Sequence, residues 1–510
     1  MDKVQGVAGT NSISDAQRML LIFGVTLAAA RLLQEWNKRR HLPPGPSGWP
    51  VLGNLPMMGS APHLYFYRLW KEYGPVVRIK MGSRDTVIIN GYSACRQALV
   101  TQGADFAGRP DFDSFNYISE GTSFAFTTYN ERWKLHRKIA ASAMRQFTHD
   151  RENPVDQMLA RQANGLVKQL LSWKGKPCDP VDPIRDVVAN AIFTLCFGKE
   201  VDYHLEPDYQ VLYRNVQRFT EIQSAGGNIA DVMPWTKWIP YTPKRMKDFL
   251  ATAKNMRKVC NRQSEEHQKT YDPNKTRDIF DALITATGEV TQQQKDAVGL
   301  TDWAILMTIQ SMIGPGMTTV ATALHWMVMY LARYQHVQDR AHAEINDVIE
   351  SEKDITYADR NRLPYVNAVM HECLRHTAFV PNSLPHATVT DTTLNGFHIP
   401  KGTLIFPNFW SVSRDKTIWR EPENFDPERM LTTDGTELDK EKAERMPAFG
   451  WGKRRCIGEY LGRAETFILL ATLIRSCRFE EDPEHPLDFE PIFRLSLDPK
   501  PYKVLITARE

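Results

Sequence analysis

The chain has 510 residues, of which 42% are hydrophobic and 24% are charged, and its net charge at pH 7 is only +3. This nearly balanced charge argues against nucleic acid as a partner, because nucleic acid-binding domains carry strongly basic surfaces. The sequence contains no Walker loop and no dinucleotide glycine fingerprint, so no nucleotide site of either kind is predicted. No repeat or low-complexity linker divides the chain after residue 41, and we therefore predict a short N-terminal region, 1–41, and one large domain, 42–510.

The cysteines argue against a disulfide framework and against a zinc site. There are seven of them, an odd number, and no two are spaced as C-x-x-C. They are Cys95, Cys178, Cys196, Cys260, Cys373, Cys456 and Cys477. Scattered cysteines of this kind indicate a reducing compartment.

An apolar run near the N-terminus, Met19–Leu33, is interrupted only by Arg31 and is followed by the basic residues 38–40. As a helix its fifteen residues extend ~22 Å, less than the ~30 Å of a bilayer core, although flanking arginines can lengthen the span by snorkelling. We predict a single membrane anchor, with the basic flank keeping the main domain on the cytosolic side. The alternatives are an amphipathic surface helix and a transit segment, and Asp2 and Asp15 argue against mitochondrial import.

Alternating and β-branched residues follow in the first part of the large domain. Two such runs within 76–90 surround the turn 82–85 and predict a hairpin, with a helix at 92–100 after it. The connection 105–122 is long and rich in aromatic residues, including Phe115. Loops of this length in compact domains are usually functional or disordered, and the aromatic residues argue against disorder.

A basic helix is predicted from Glu131 to Gln146. Trp133 and Arg137 lie four residues apart in it and so share one face. An indole N–H beside a guanidinium suits a carboxylate ligand. The alternative is an ordinary solvated basic helix.

Most of the remaining chain indicates helices separated by proline-rich joints. A long apolar helical pattern runs from Thr301 to Tyr334 and contains the segment 314–319, GPGMTT. A proline inside a helix removes one N–H bond and clashes with the carbonyl four residues earlier. We therefore expect the helix to be kinked or opened at Pro315.

The segment 447–463, PAFGWGKRRCIGEYLGR, places Cys456 in a glycine-rich basic loop just before a predicted helix, Glu459–Ile474. Backbone N–H groups, the helix N-terminus and neighbouring cations should all favour thiolate over thiol. A thiolate held in this way can be the axial ligand of a haem iron. The alternative is a structural cysteine on a glycine turn.

The pattern Phe449-x-x-Gly452-x-Arg454-x-Cys456-x-Gly458 resembles, without a mismatch, the haem-binding signature of the cytochrome P450 family. The resemblance implies haem b as the cofactor, Cys456 as its axial ligand, and Phe449 and Arg454 as cofactor-binding residues. It also implies a mainly α fold, with a large helical lobe, a smaller β-rich lobe and the haem between them.

Two further motifs resemble this family's scaffold. Glu372-x-x-Arg375 lies on one predicted helix, and FDPER, downstream, supplies Arg429. The three look like the family's structural triad, whose role is to hold the chain near the cysteine loop. A single E-x-x-R pattern is weakly informative, but the three motifs in this order are specific.

Other family positions are matched with two departures, one of which is Pro315 in place of the first small residue of the family's oxygen-activating pattern. The Trp133-x-x-x-Arg137 spacing and His386 look like the family's contacts to the haem propionates, although His386 could equally be a plain surface histidine. In the oxygen-activating helix, Thr319 matches the family's alcohol, whereas Thr318 stands where the family usually has an acid. Proton delivery normally depends on that acid–alcohol pair, so we expect slower turnover, more peroxide release, another proton route or peroxide-driven chemistry.

The resemblance extends from Pro43 to Ala508, and within the family it is strongest to the animal aryl-hydrocarbon and oestrogen hydroxylase group, with the steroid 17-hydroxylase branch next. The stretches that carry it are 43–56, 103–115, 179–199, 230–235 and 384–403. It implies a monooxygenase that inserts one oxygen atom from O2 into a hydrophobic planar aromatic or steroid-like substrate. The expected pocket residues are Phe115, Phe219, Pro315 and Leu384; as an alternative, the aromatic ones are simply core.

Without a nucleotide site of its own, such an enzyme needs electrons from NADPH through a partner, NADPH–cytochrome P450 reductase, with cytochrome b5 as a second partner. A cationic docking face is predicted at Arg132, Lys134, Lys138, Lys453 and Arg455, unless these are merely exposed basic residues. The implied location is the endoplasmic reticulum membrane. The rival functions are a peroxide-driven or isomerising haem-thiolate enzyme and a non-catalytic haem-binding protein.

Overall fold

The structure is a computed structural model that describes residues 41–149, 155–199, 206–222, 229–238 and 244–509, together with Phe23 and Thr26. Its α-helices are α1 (Leu55–Met58), α2 (Pro62–Tyr73), α3 (Tyr92–Arg96), α4 (Asp113–Ser119), α5 (Glu131–His149), α6 (Val155–Leu171), α7 (Val181–Phe197), α8 (Pro207–Ile222), α9 (Ile229–Val232), α10 (Lys244–Thr270), α11 (Ile279–Gly288), α12 (Gln292–Ala297), α13 (Asp302–Leu306), α14 (Thr308–Arg333), α15 (Gln335–Val348), α16 (Pro364–Thr377), α17 (Phe409–Ser413), α18 (Lys440–Arg445) and α19 (Glu459–Ser476). The strands are β1 (Val76–Met81), β2 (Arg84–Asn90), β3 (His386–Ala387), β4 (Thr392–Leu394), β5 (Phe397–Ile399), β6 (Leu404–Asn408), β7 (Cys477–Glu481), β8 (Ile492–Phe493), β9 (Leu497–Asp498) and β10 (Val504–Ala508). The predicted mainly α fold is confirmed.

The largest sheet has the order β1-β2-β6-β3. The predicted hairpin is present, with Met81 paired to Arg84 around a turn at Gly82. Gly82 has a φ of +58°, and a side chain there would collide with Val232, so the turn requires glycine. Strand β6 joins β2 in parallel and β3 in antiparallel orientation, which brings His386 to the edge of this sheet.

Two apolar clusters divide the core. The larger one is built around α14 and its neighbouring helices. The smaller one lies on the sheet and includes Ile79, Phe115, Met233 and Phe406. This division into a large helical lobe and a smaller β-rich lobe agrees with the expected architecture. One detail differs: the predicted connection 105–122 contains the helix α4, in which Phe115 faces the smaller core.

The core helix α14 differs from the prediction in two ways. The predicted single helix is divided at Met307, which lies between α13 and α14. Pro315, in contrast, does not end α14, which remains α-helical on both sides of it. Gly316 allows the close approach of α7, because a side chain at this position would lie 2.5 Å from Cγ1 of Ile192.

Within the part of the chain that the structure describes, one helical stretch is long and apolar enough to cross a membrane, Asp302–Arg333. Most of it is buried inside the protein, so it is a core element. The predicted N-terminal anchor in 1–41 lies outside the described residues, apart from Phe23, Thr26 and His41.

A buried charge network holds the chain that leads to the cysteine loop. Arg375 donates from Nε and Nη2 to the two carboxylate oxygens of Glu372, both at 2.7 Å, and neither side chain is exposed. Arg429 donates from Nε to Oε1 of Glu372 at 3.0 Å. The remaining N–H groups of Arg375 reach backbone carbonyls of Ser413 and Pro422. The three residues therefore meet as their sequence motifs indicate.

Replacing one member of this network tests how much the network contributes to the free energy of unfolding. We expect Glu372→Ala to lower the free energy of unfolding by about 3–5 kcal/mol, because it leaves a buried guanidinium without its counter-charge. The matched control is Glu441→Ala, which removes an exposed partner of Arg445 and should cost less than about 1 kcal/mol. Equal losses in urea denaturation would contradict a special role for the network.

A second buried carboxyl lies on α19, the helix that begins after Cys456. Glu465 is 4% exposed, its Oε1 has no hydrogen-bond partner, and burial raises the pKa of its carboxyl to about 8. An acid with a raised pKa keeps its proton in the folded state while the unfolded chain releases it. Its effect on stability is therefore absent below the unfolded pKa of 4.5 and becomes more unfavourable as the pH rises towards 8.

We expect Glu465→Gln to remove this pH dependence. Relative to the variant, the parent protein should lose about 3 kcal/mol of unfolding free energy between pH 5 and pH 8, measured by urea denaturation. Glu441→Gln, at an exposed position, is the control and should follow the parent. A constant difference between parent and Glu465→Gln across this range would show that the carboxyl is not held neutral.

Candidate active site

The loop before α19 folds back on itself and presents Cys456. The Cys456 N–H donates to the Phe449 carbonyl at 2.8 Å, which closes the loop. Gly450 and Gly452 both have positive φ angles, +75° and +67°. A side chain on Gly452 would lie 1.7 Å from the Leu99 carbonyl, so only glycine lets the loop pack against its neighbour.

The sulfur of Cys456 has an unusual setting. It is the one exposed cysteine of the seven. The surrounding protein still keeps bulk water from the thiol and raises its pKa, outweighing the Gly458 N–H and the charges of Arg137 and Arg455, which lower it. The predicted effect of these neighbours, to favour the thiolate, is therefore present and is opposed by burial.

Beside this loop, two guanidiniums join three segments of the chain through hydrogen bonds to backbone carbonyls. Arg454 donates to the carbonyls of Ala107, Phe124 and Thr127 at 2.7–2.9 Å. Arg109 lies in the segment to which Arg454 is bonded. It donates to the carbonyls of Ala125 (2.8 Å), Leu384 (3.4 Å) and Pro385 (2.8 Å).

Arg137 completes a cluster with these two residues, and its Nη2 donates to the Arg455 carbonyl. Burial lowers the pKa of all three guanidiniums, and mutual repulsion lowers those of Arg454 and Arg109 further. No carboxylate among the described residues pairs with any of them. The three cations donate only to neutral backbone carbonyls, so their positive charge has no counter-charge. The cluster therefore indicates a missing negative ligand.

Trp133 contributes its ring to this cluster. The guanidinium carbons of Arg454 and Arg137 lie 4.3 and 5.6 Å from the indole centroid. The indole N–H, however, donates to the Phe124 carbonyl at 2.7 Å. Trp133 therefore orients the cations, whereas the sequence assigned its N–H to a propionate.

His386, the third predicted propionate contact, is buried. Its Nδ1 lies 2.8 Å from the Phe106 carbonyl, and since a carbonyl only accepts, Nδ1 carries the hydrogen. Burial lowers the pKa of the ring well below its usual value, so the histidine is neutral. The sequence analysis did not predict Arg109, a buried hydrogen-bond donor at this site. The only indication of it in the sequence was a charged residue inside the apolar stretch FAGRP.

The core helix forms the other side of the site. Ser311 donates to the Ser123 hydroxyl at 2.8 Å, one turn before the proline, and so ties α14 to the segment that Arg454 and Arg109 hold. Pro315 is exposed although α14 is mostly buried. Thr318 and Thr319 donate to the carbonyls four residues earlier, at 3.3 and 3.0 Å. Both hydroxyls therefore donate hydrogen bonds within the helix.

The expected pocket residues are only partly brought together. Phe115 is buried against Phe126, with ring centroids 4.7 Å apart, and belongs to the smaller core cluster. Phe219 is half-buried and stacks on Phe249 rather than on Phe115. Leu384 is half-buried, and its carbonyl accepts a hydrogen bond from Arg109. Core packing thus accounts for Phe115, the alternative considered for the aromatic residues.

The arrangement defines a class of protein. A lone accessible sulfur, three cations that lack an anion, and a core helix with an exposed proline fit a porphyrin with two carboxylates and an iron that accepts a thiolate. Cys456 would bind the metal, and Arg109, Arg137 and Arg454 would neutralise the carboxylates. These are the features of a haem-thiolate protein.

Comparisons with known proteins specify the family. A sequence model described as cytochrome P450 matches residues 43–506. The chain is 36% identical to cytochrome P450 1A5 of Gallus gallus, covering 94% of this chain and 93% of the relative. It is 37% identical to cytochrome P450 1A1 of Opsanus tau, covering 92% and 91%. A solved zebrafish cytochrome P450 with progesterone is similar in fold, with a TM-score of 0.78, 27% identity and coverage of 88% of this chain and 99% of that one.

The chain belongs to the cytochrome P450 family. It is a monooxygenase, an oxidoreductase whose cofactor is haem with the thiolate of Cys456 as axial ligand. The predicted fold, enzyme class and cofactor are confirmed.

The cation cluster can be tested through haem retention. We expect Arg137→Met to increase the rate of haem loss to an excess of an acceptor protein by about tenfold, since a charge-assisted hydrogen bond is worth about 1.5–3 kcal/mol. Arg137 is chosen because its hydrogen bond within the described part of the chain is to one carbonyl, so the fold should tolerate its loss. Lys138→Met, exposed on the same helix, is the control. Equal haem loss in both variants would contradict the assignment.

Proposed function

We propose that this monooxygenase inserts one oxygen atom from O2 into a hydrophobic planar aromatic or steroid-like substrate, using electrons from NADPH delivered by a flavoprotein reductase. The observation that carries the proposal is the uncompensated cluster of Arg109, Arg137 and Arg454 beside Cys456. When bound, the haem supplies oxygen activation and oxygen-atom transfer, and its thiolate ligand favours O–O cleavage.

Each residue near the cofactor has a distinct role in this proposal. Arg109, Arg137 and Arg454 bind the propionates, and the Trp133 ring keeps two of the guanidiniums in place. Phe449 supports the cysteine loop through its carbonyl, and its ring lies 4.9 Å from the guanidinium of Arg463 on α19. The ligand, the cations and the helix after the loop are thus positioned by one connected set of contacts.

The substrate class is inferred from the relatives and from the lining of the site. The solved zebrafish relative was determined with progesterone. In this chain the half-buried Phe126 lies on the segment that is tied to α14 beside the exposed Pro315, and it offers a flat apolar surface for such a substrate, with the core residue Phe115 behind it. Phe219 and Leu384 are the further candidates for contact with the substrate.

The predicted docking face is partly neutralised. Lys134 pairs with Glu131 at 2.6 Å, and Arg455 pairs with Glu459. Lys138 and Lys453 are exposed, and among the described residues neither has an acidic partner. These two lysines, on the side of the fold that carries Cys456, are the best candidates for steering an acidic reductase or cytochrome b5.

Attachment to the endoplasmic reticulum membrane through the N-terminal region is part of the proposal. A patch of exposed apolar residues supports it: Trp49 and Val51 come soon after that region, and Trp235 and Trp238 lie in another segment. The turn between β1 and β2 holds both segments, because Gly82 and Ser83 donate to the carbonyls of Leu52 and Val232. A single apolar face of this kind suits a membrane surface.

A peroxide-driven reaction is the second candidate, and Thr318 favours it. A threonine relays a proton but does not supply one as a carboxylic acid does. An enzyme that started from a hydroperoxide would have less need of that acid. Non-catalytic haem binding remains the third reading.

Turnover under two regimes decides among these functions. Purified full-length protein is incubated with planar aromatic compounds and steroids, first with NADPH and reductase and then with an organic hydroperoxide alone. The proposal expects hydroxylated product in the first regime. Product in the second regime only would overturn it in favour of peroxide-driven chemistry. Substrate-induced spectral change without product in either would favour non-catalytic binding.

Restoring an acid at position 318 tests the interpretation of the helix. We expect Thr318→Asp to raise the ratio of product to NADPH consumed and to lower peroxide release by about tenfold, less than the ~10²–10⁴-fold that a fully positioned acid contributes. Thr318→Asn, equal in size but not acidic, is the control and should leave the ratio unchanged. Equal ratios in both variants would show that the acid at this position is irrelevant.

A further inference from the structure

The proposed reaction consumes a proton for every substrate oxidised. Its balance is RH + O2 + NADPH + H⁺ → ROH + H2O + NADP⁺, and the wasteful branch yields H2O2 and NADP⁺ from the same reactants. A closed apolar site therefore needs a route for protons from solvent. Thr318 and Thr319 are alcohols, and neither is an acid, so the source has to lie elsewhere in the chain.

A carboxylate is attached to the same helix one turn further on. Asp498, in β9, accepts a hydrogen bond from the Thr322 hydroxyl at 3.2 Å through Oδ1. The same oxygen accepts from the Ser496 hydroxyl at 2.6 Å, and Oδ2 lies 3.7 Å from Arg494 Nη1. Thr322 is 8% exposed, whereas the Asp498 side chain is 17% exposed and so still reaches water.

The spacing along α14 places this contact on the same face of the helix as Thr318 and Thr319. Thr322 follows Thr318 by four residues and Thr319 by three, so the three hydroxyls line one face. Trp326, one turn further, donates from its indole N–H to the Leu497 carbonyl at 2.8 Å. The hairpin that carries Asp498 is therefore fixed along this face at two successive turns.

We propose that Asp498 and Thr322 are the positioning residues of a proton route that compensates for the acid missing at position 318. Asp498 takes a proton from solvent and passes it through the Thr322 hydroxyl to Thr318 or Thr319, which releases its bond to the helix carbonyl to hand it on. Hydroxyls one turn apart are separated by about one water, which completes the chain. The inference rests on the proposed function, because only turnover consumes the proton.

Asparagine at position 498 separates this role from a structural one. Its side-chain oxygen still accepts from Thr322 and Ser496, so the hairpin stays attached, but an amide does not donate and regain a proton as an acid does. Thr322→Val removes the relay hydroxyl at nearly equal volume, and Thr322→Ser returns it. Asp488→Asn, in an exposed pair with Lys500 ahead of the same hairpin, is the matched control.

The experiment measures product formed and peroxide released per NADPH consumed by the full-length, haem-loaded protein with reductase. We expect Asp498→Asn and Thr322→Val to lower kcat and the product ratio by about tenfold with KM unchanged, and Thr322→Ser and Asp488→Asn to match the parent. Parent-like ratios in Asp498→Asn would overturn the inference. Absence of NADPH-dependent product in the parent itself would instead overturn the proposed function.

A double variant and a spectrum remove the remaining ambiguity. Thr318→Asp in the Asp498→Asn background should restore the product ratio, because it supplies an acid by a different route; a structural defect would not be rescued. Independently of turnover, the C–O stretching frequency of the reduced carbon monoxide complex reports hydrogen bonds near the bound gas. We expect Thr322→Val and Asp498→Asn to shift it and Asp488→Asn to leave it unchanged. Identical frequencies in all variants would contradict a connected chain.

Discussion

The arrangement of this protein depends on buried and half-buried positive charge that the described part of the chain does not neutralise. Arg109, Arg137 and Arg454 lie together, bonded to backbone carbonyls, and no carboxylate in the described part of the chain pairs with them. Burying charge in this way is costly unless an anion completes the site. A porphyrin with two propionates is such an anion, and its iron accepts the nearby sulfur of Cys456. The cofactor is thus part of the electrostatic balance of the fold.

The same guanidiniums explain how the site is built from distant segments. Arg454 belongs to the cysteine loop and bonds the segment 107–127, and Arg109 belongs to that segment and bonds 384–385. On the other side, the Glu372 network fixes the approach to the loop. The core helix α14 joins through Ser311. Each connection is a polar bond made in a dry interior, where it is strong if complete and costly if broken.

The sequence supported correct predictions where the interacting residues lie close together in the chain. The Cys456 loop, the Glu372-x-x-Arg375 pair and the hairpin could be predicted because glycine, charge and alternation act within a few residues. Arg109 could not, because its acceptors are carbonyls of residues far away in the chain. The hydrogen-bond directions of Trp133 and His386 were also not predictable, since each depends on which carbonyl the fold brings to it. Pro315 does not end the helix, because tertiary packing keeps α14 intact around it.

The most direct measurement of the central claim is the absorption spectrum of the reduced protein after addition of carbon monoxide. Bonding between the Cys456 thiolate and the iron predicts a strongly red-shifted Soret band in the parent protein, and its loss in Cys456→His with haem still bound. A parent protein that is folded and loaded with haem but shows no red-shifted band would contradict the account. So would a band that persists after Cys456 is replaced.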